Sequence, residues 1–88
     1  MYQRSPWVAE NAKRRANGQC ELCQKPAPFN RKDGTPYLET HHIEWLASGG
    51  ADTVENTVAL CPNCHKKMHV INRKEDRAWL KEVALKGA

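Results

Sequence analysis

The residues whose types could do chemistry in this chain are four cysteines and four histidines, and they are grouped. Cys20-x2-Cys23 and Cys61-x2-Cys64 are two CxxC pairs separated by 37 residues; His41 and His42 are adjacent; His65 and His69 follow the second pair inside the stretch CPNCHKKMH. A CxxC knuckle turns two thiolates toward one point, and two knuckles supply the closed four-sulfur set of a structural zinc. Four free thiols or two disulfides are the plain alternative. Gathering Cys61, Cys64, His65 and His69 around one ion instead gives the composition of a two-cysteine, two-histidine finger but not its spacing. Such fingers place about a dozen residues between the second cysteine and the first histidine, whereas Cys64 and His65 are adjacent.

A helix opened by Pro62 carries His65 and His69 four residues apart on one face, with Cys64 about 100° around the axis from His65. One helix can then show a thiolate to one metal and two imidazoles to another. The only other histidines, His41 and His42, are the available partners for those imidazoles. Imidazole ligands without a full cysteine set leave coordination positions open, as a catalytic metal requires. A remaining histidine beside the ligands can act as a general base, which in a nuclease would deprotonate a water for attack on phosphorus. The bland alternative for all four is an ordinary satisfied core or surface histidine.

The elements that must position these groups are short. Ser5-Pro6 and the run WVAENAKRRAN read as a capped helix that Gly18 ends. KPAPFNRKDGTP, with three prolines and Asp33-Gly34, is an irregular loop carrying no evident chemistry. Tyr37–Ile43 (YLETHHI) reads as a strand, ASGGAD as a turn, Thr57–Leu60 as the returning strand of a hairpin, and Pro62 to about Val70 as a helix. Asn72 and Glu75 resemble a capping box for a last helix from Lys74 to Leu85, with Trp79, Leu80 and Val83 as its buried stripe. Gly49-Gly50 reads as a tight turn with positive φ, and Trp7, Trp45 and Trp79 as packing residues. Adjacent residues of a regular strand point to opposite faces, so for both histidines to reach one phosphate the strand is expected to end or bend at His41-His42, and a straight, fully paired strand through His42 would count against their sharing a site.

With 88 residues the chain is one small domain, 1–88, whose single core calls for a staple. Residues 1–20 hold five charged side chains and no apolar run, so neither a secretory signal nor a membrane span is expected, and a cytoplasmic, metal-binding protein is. Fourteen Lys and Arg against ten Asp and Glu give a net charge of +4, with clusters at Lys13-Arg14-Arg15, Arg31-Lys32, Lys66-Lys67 and Arg73-Lys74. That balance suits a polyanionic partner such as nucleic acid, although a solvated surface of ordinary composition gives the same sum.

The stretch LETHHIEWLASGGADTVENTVALCPNCHKKMH, together with the first knuckle, resembles the HNH endonucleases, and most of all the HNH modules of McrA-like restriction endonucleases. The HHI, SGG, EN and LCPNCH segments stand in the family's order, and the resemblance spans Cys20 to His69, the motif core of a domain that runs over 1–88. It implies a small α+β fold: a ββα-metal (His-Me finger) core with a four-cysteine structural zinc site and flanking N- and C-terminal helices. By position, His42 is similar to the general base and His41 to a metal ligand, at a place where many members have Asp. Asn56 is similar to the central Asn that holds the loop behind the base, and His65 to the final metal-binding His. His69 is similar to a further ligand of the colicin-type nucleases. Glu39 and Glu44 flank the site as partners that could orient imidazoles, or as solvated charge.

The resemblance further implies a metal-dependent endonuclease that hydrolyses DNA by His-activated water attack, leaving 5′-phosphate and 3′-hydroxyl ends. Its cofactors would be Zn2+ at the cysteines and Mg2+, Mn2+, Ni2+, Co2+ or Zn2+ at the histidines. Double-stranded DNA is the expected partner, with RNA left open; double-strand cleavage would need a homodimer or two successive nicks. Target recognition would rest with an additional domain outside these residues. The competing function is a zinc module that binds nucleic acid or protein without catalysis.

Overall fold

The computed structural model describes residues 6–87. Helix α1 (Pro6–Ala16) places Val8, Ala12 and Ala16 one turn apart as a buried stripe and stops where Asn17 and Gly18 adopt positive φ, 53° and 82°. Ser5, read as its cap, lies outside the described residues. Strands β1 (Glu39–His42) and β2 (Thr57–Leu60) pair antiparallel, with Glu39 opposite Leu60 and His42 opposite Thr57. β1 is shorter than Tyr37–Ile43 because loops claim its ends: Tyr37 N–H donates to Phe29 O at 2.9 Å and Ile43 N–H to Asn56 O at 2.8 Å.

Directly opposed residues share a face of the sheet. Val58 and Leu60 project into the larger core, where they meet Cys20, Ile43, Cys64, Met68, Leu80 and Ala84. Ala59, on the other face, packs with Leu38 and Ala16. Helix α2 (Pro62–Val70) starts at its proline directly after Cys61, and α3 (Lys74–Gly87) closes the larger core through Leu80 and Ala84. Among the described residues no helix is long and apolar enough to cross a membrane.

Four local expectations change. Asn72 is not an N-cap: it sits at φ 50°, in the left-handed region, and α3 begins two residues later. The buried stripe of α3 is Leu80 and Ala84 with Val83 half-buried. Trp79 is instead 41% exposed and lies against the first knuckle, its indole N–H donating to Glu21 O at 3.0 Å. That bond satisfies a polar group which burial in the apolar stripe would have orphaned. Trp7 is 67% exposed rather than packed.

A buried ion pair ties the layers together. The Arg15 guanidinium grips both oxygens of Glu21 at 2.8 and 2.9 Å and donates to Thr57 O at 2.6 Å and Val54 O at 3.2 Å. Glu21 Oε1 in turn accepts from Ala59 N–H at 2.9 Å. Helix α1, the first knuckle and the start of β2 are thereby fixed to one another. From the burial pattern, Leu80→Ala should lower unfolding free energy by about 2 to 5 kcal/mol, whereas Leu85→Ala on the exposed side of α3 should change it by less than about 0.5 kcal/mol. Denaturant titration of the two variants checks this.

Candidate active site

The sulfur cluster comes from two elements. Cys20 and Cys23 sit on a turn after α1, closed by Gln24 N–H donating to Cys20 O at 2.9 Å with Gln24 at φ 65°. Cys61 is the residue before α2 and Cys64 lies in its first turn. The four Sγ atoms all lie within 4.8 Å of one another, and Cys23 Sγ to Cys61 Sγ is 4.0 Å. Sulfurs about 2.3 Å from a tetrahedral zinc would be about 3.8 Å apart, so the set is spaced to hold a metal. Burial and then Cys20 push the Cys64 thiol up, a pressure that a divalent cation among the sulfurs would reverse.

A second cluster forms on the other side of α2. His41 of β1 and His65 and His69 of α2 bring one ring nitrogen each within 4.8 Å of one another. His65 Nε2 and His69 Nε2 are 3.2 Å apart, and His65 Nδ1 lies 2.8 Å from Glu39 Oε1, which leaves the ε nitrogen of His65 turned toward His69. Glu39 is held in turn by the Tyr37 hydroxyl at 2.6 Å, and these two bonds, Tyr37's first, lower its pKa. His41 is 2% exposed, and its Nε2 is buried with no hydrogen-bond partner. Burial first, and the neighbouring imidazoles next, lower the pKa of His41 to about 4. Burial likewise lowers that of His69. Both rings are therefore neutral near pH 7, the state in which imidazole binds a metal. A buried nitrogen with no partner, on a ring clustered with two other imidazoles, fits a resident divalent ion.

His42 does not join this cluster. Its Nε2 lies 2.7 Å from Asp52 Oδ1. β1 does end at this residue but remains paired with Thr57 through it, so no break relieves the alternation of side chains. The free outer edge of β1 provides another solution. Thr40, His41 and His42 line one cavity of about 440 Å³ together with His65, His69 and Trp45. Trp45 stacks on His69, centroids 5.4 Å apart and planes 24° apart.

The HNH endonuclease family model matches residues 20–70. The chain belongs to the HNH endonuclease family. It is 54% identical over 69 residues to the type IV methyl-directed restriction enzyme EcoKMcrA of Escherichia coli K12, covering 78% of this chain and 25% of that enzyme. Among solved structures it superposes on the type IV phosphorothioation-dependent restriction endonuclease ScoMcrA with TM-score 0.82 at 31% identity, covering 98% of this chain and 17% of that one. The modification-dependent TagI restriction endonuclease gives TM-score 0.65 at 32% identity, over 76% of this chain and 23% of that one. The chain thus spans a quarter or less of the length of each.

In this HNH chain Asn56 staples the loop that follows β1. Its Oδ1 accepts from Glu44 N–H at 2.8 Å, and its Nδ2 donates to Glu44 O at 3.0 Å and Ala51 O at 2.7 Å. Gly49 has the expected positive φ, 94°, but Gly50 is required for another reason: a Cβ there would collide with the Glu44 carbonyl. Glu39 engages a histidine, whereas Glu44 contributes its backbone and its carboxylate lies 3.8 Å from Lys81 Nζ. Sequence reasoning missed Asp52 and Trp45 as neighbours of the histidines; an acidic residue closing the glycine turn, four before Asn56, was the available signal. Gly50→Ala should displace the Glu44 carbonyl and cost about 1 to 3 kcal/mol of stability. Amide exchange at Glu44 should accelerate in that variant, and unchanged protection there would contradict the staple.

Proposed function

We propose that this chain is a DNA-cleaving module that hydrolyses phosphodiester bonds with a water activated by His42. The observation that carries the reading is the cavity in which three converging imidazoles and a fourth, separately held histidine face the same space. His41, His65 and His69 would hold a divalent metal, which when bound supplies charge neutralisation at the scissile phosphate and at the leaving 3′ oxygen. Cys20, Cys23, Cys61 and Cys64 would hold a structural zinc.

The chain's own side chains do the rest. With Nε2–H donated to Asp52, His42 is held in the tautomer whose Nδ1 lone pair can take a proton from water. Asp52 thereby fixes the ring and stabilises the imidazolium that forms. Asn56 holds the loop that bears Asp52 and the backbone beyond His42. Glu39 fixes the tautomer of His65 in the same manner, and Trp45 walls the cavity beside His69. Products would carry 5′-phosphate and 3′-hydroxyl ends. DNA is favoured over RNA because the three matched restriction enzymes all act in restriction. The modification dependence in their names is not carried over to these 88 residues.

Nicking of supercoiled plasmid with Mg2+, Mn2+, Co2+ or Ni2+ tests the reading. His42→Ala should slow cleavage by about 10² to 10⁴-fold, the usual contribution of a general base, with the metal still bound. Asp52→Asn should lower kcat by less than that and leave KM unchanged. Cleavage by His42→Ala at the parent rate would refute the mechanism, and cleavage of RNA alone would refute the substrate. The two clusters share α2, so a Cys61→Ser variant that has lost its zinc should also lose activity although no cysteine faces the cavity. Full activity in that variant would sever the link between the clusters.

A further inference from the structure

The loop between the first knuckle and β1 meets the site above only through Tyr37, whose hydroxyl holds Glu39, yet the whole loop is closely built. Asn30 bridges Pro36, Arg31 N–H donates to Thr35 O at 2.7 Å, and Gly34 N–H donates to Arg31 O at 2.9 Å. Asp33 Oδ1 accepts from Thr35 N–H at 3.0 Å and from the Thr35 hydroxyl at 2.6 Å, which fixes its carboxylate in the turn, where its charge also acts on Arg31. Phe29 and Tyr37 stack at 4.7 Å, and the Arg31 guanidinium lies over the Tyr37 ring at 5.2 Å while donating to Leu38 O at 3.4 Å. The product of this architecture is one cation held in a fixed place at the entrance to β1.

Arg31 faces α1 across a cavity of about 850 Å³, and the cation that meets it there is Lys13. Arg14, also on the wall, is paired with Glu10 at 2.9 Å. Among the described residues neither Lys13 nor Arg31 enters an ion pair. Burial, and then Arg31, lower the pKa of the Lys13 ammonium. Two like charges on facing walls of one cavity repel each other, and an anion lying between them relieves that repulsion. Leu38 lines this cavity and His42, four residues further along the strand, lines the other. Four residues of strand span about 13 Å, or about four nucleotides at roughly 3.4 Å of axial rise per nucleotide on one DNA strand.

We propose that the cavity between α1 and the 30–36 turn binds a backbone phosphate of the DNA strand being cut, with Lys13 and Arg31 on either side of it, several nucleotides from the scissile bond. The site is independent of base identity and anchors the strand along β1. This inference rests on the reading of the chain as a DNA-cleaving module, and the test separates the two.

Binding of a fluorescent DNA duplex is measured by anisotropy across a range of salt, in a His42→Ala background so that the duplex stays intact. Lys13→Gln with Arg31→Gln should weaken binding about tenfold and reduce the slope of log K against log salt by about one to two, at about 0.9 for each phosphate no longer neutralised. Lys13→Gln alone, whose ammonium enters no ion pair among the described residues, should reduce the slope by about one, so the result does not depend on the Arg31 turn staying folded. With His42 restored, Lys13→Gln should raise KM and keep kcat within about twofold. A slope unchanged from the background protein would overturn the groove while leaving the nuclease reading intact. An equal loss from Lys86→Gln at the end of α3 would also overturn it, because net charge would then be the cause. Absence of DNA binding by the background protein itself would overturn both.

Discussion

Cys64 and His65 are consecutive residues in the first turn of α2, so their side chains leave the helix about 100° apart. This one rotation sends a sulfur to one cluster and an imidazole to another, and neither cluster can shift without turning the helix. Met68, one turn on from Cys64, is fully buried with Leu60 and Leu80 and fixes the same rotation from the core side. His69 then follows His65 on the outer face. The proline at the first position of α2 sets where the turn begins and therefore which residues fall on which side.

The other half of the site depends on holding an edge strand and its loop without covering them. Two polar staples do this. Asn56 closes the loop on itself through three hydrogen bonds to backbone, and Arg15 clamps the backbone on both sides of Asn56 at Val54 and Thr57. The Arg15–Glu21 pair is nearly buried, 10% and 4% exposed at the side chains. Removing one partner of such a pair usually costs about 3 to 5 kcal/mol, because the other charge is left without compensation. β1 keeps its outer edge for the cavity, and this lets histidines from opposite faces of a pleated strand line one space.

The two side-chain clusters were legible where their residues are local in sequence. Knuckles, the i, i+4 histidine pair and the helix-opening proline all declare themselves through spacing, and β2 and α2 fall where patterning places them. Features set by distant residues were not legible. Whether Trp79 is buried depends on the Glu21 carbonyl, which meets it from the other end of the chain. Asp52 looks like a loop carboxylate until the fold brings His42 beside it, and Arg15 like one of three basic residues on an exposed helix until Glu21 and Thr57 surround it. The capping box at Asn72 failed because the chain needs a left-handed residue there to turn between α2 and α3.

We propose two separate metal positions joined through α2, the cysteines at one and His41, His65 and His69 at the other. X-ray absorption at the zinc edge, on protein loaded first with one and then with two equivalents of zinc, tests this directly. The first equivalent should show four sulfur neighbours at about 2.3 Å and no nitrogen, and the second should add a shell of nitrogen at about 2.0 to 2.1 Å. A mixed sulfur and nitrogen shell around a single bound zinc would contradict it.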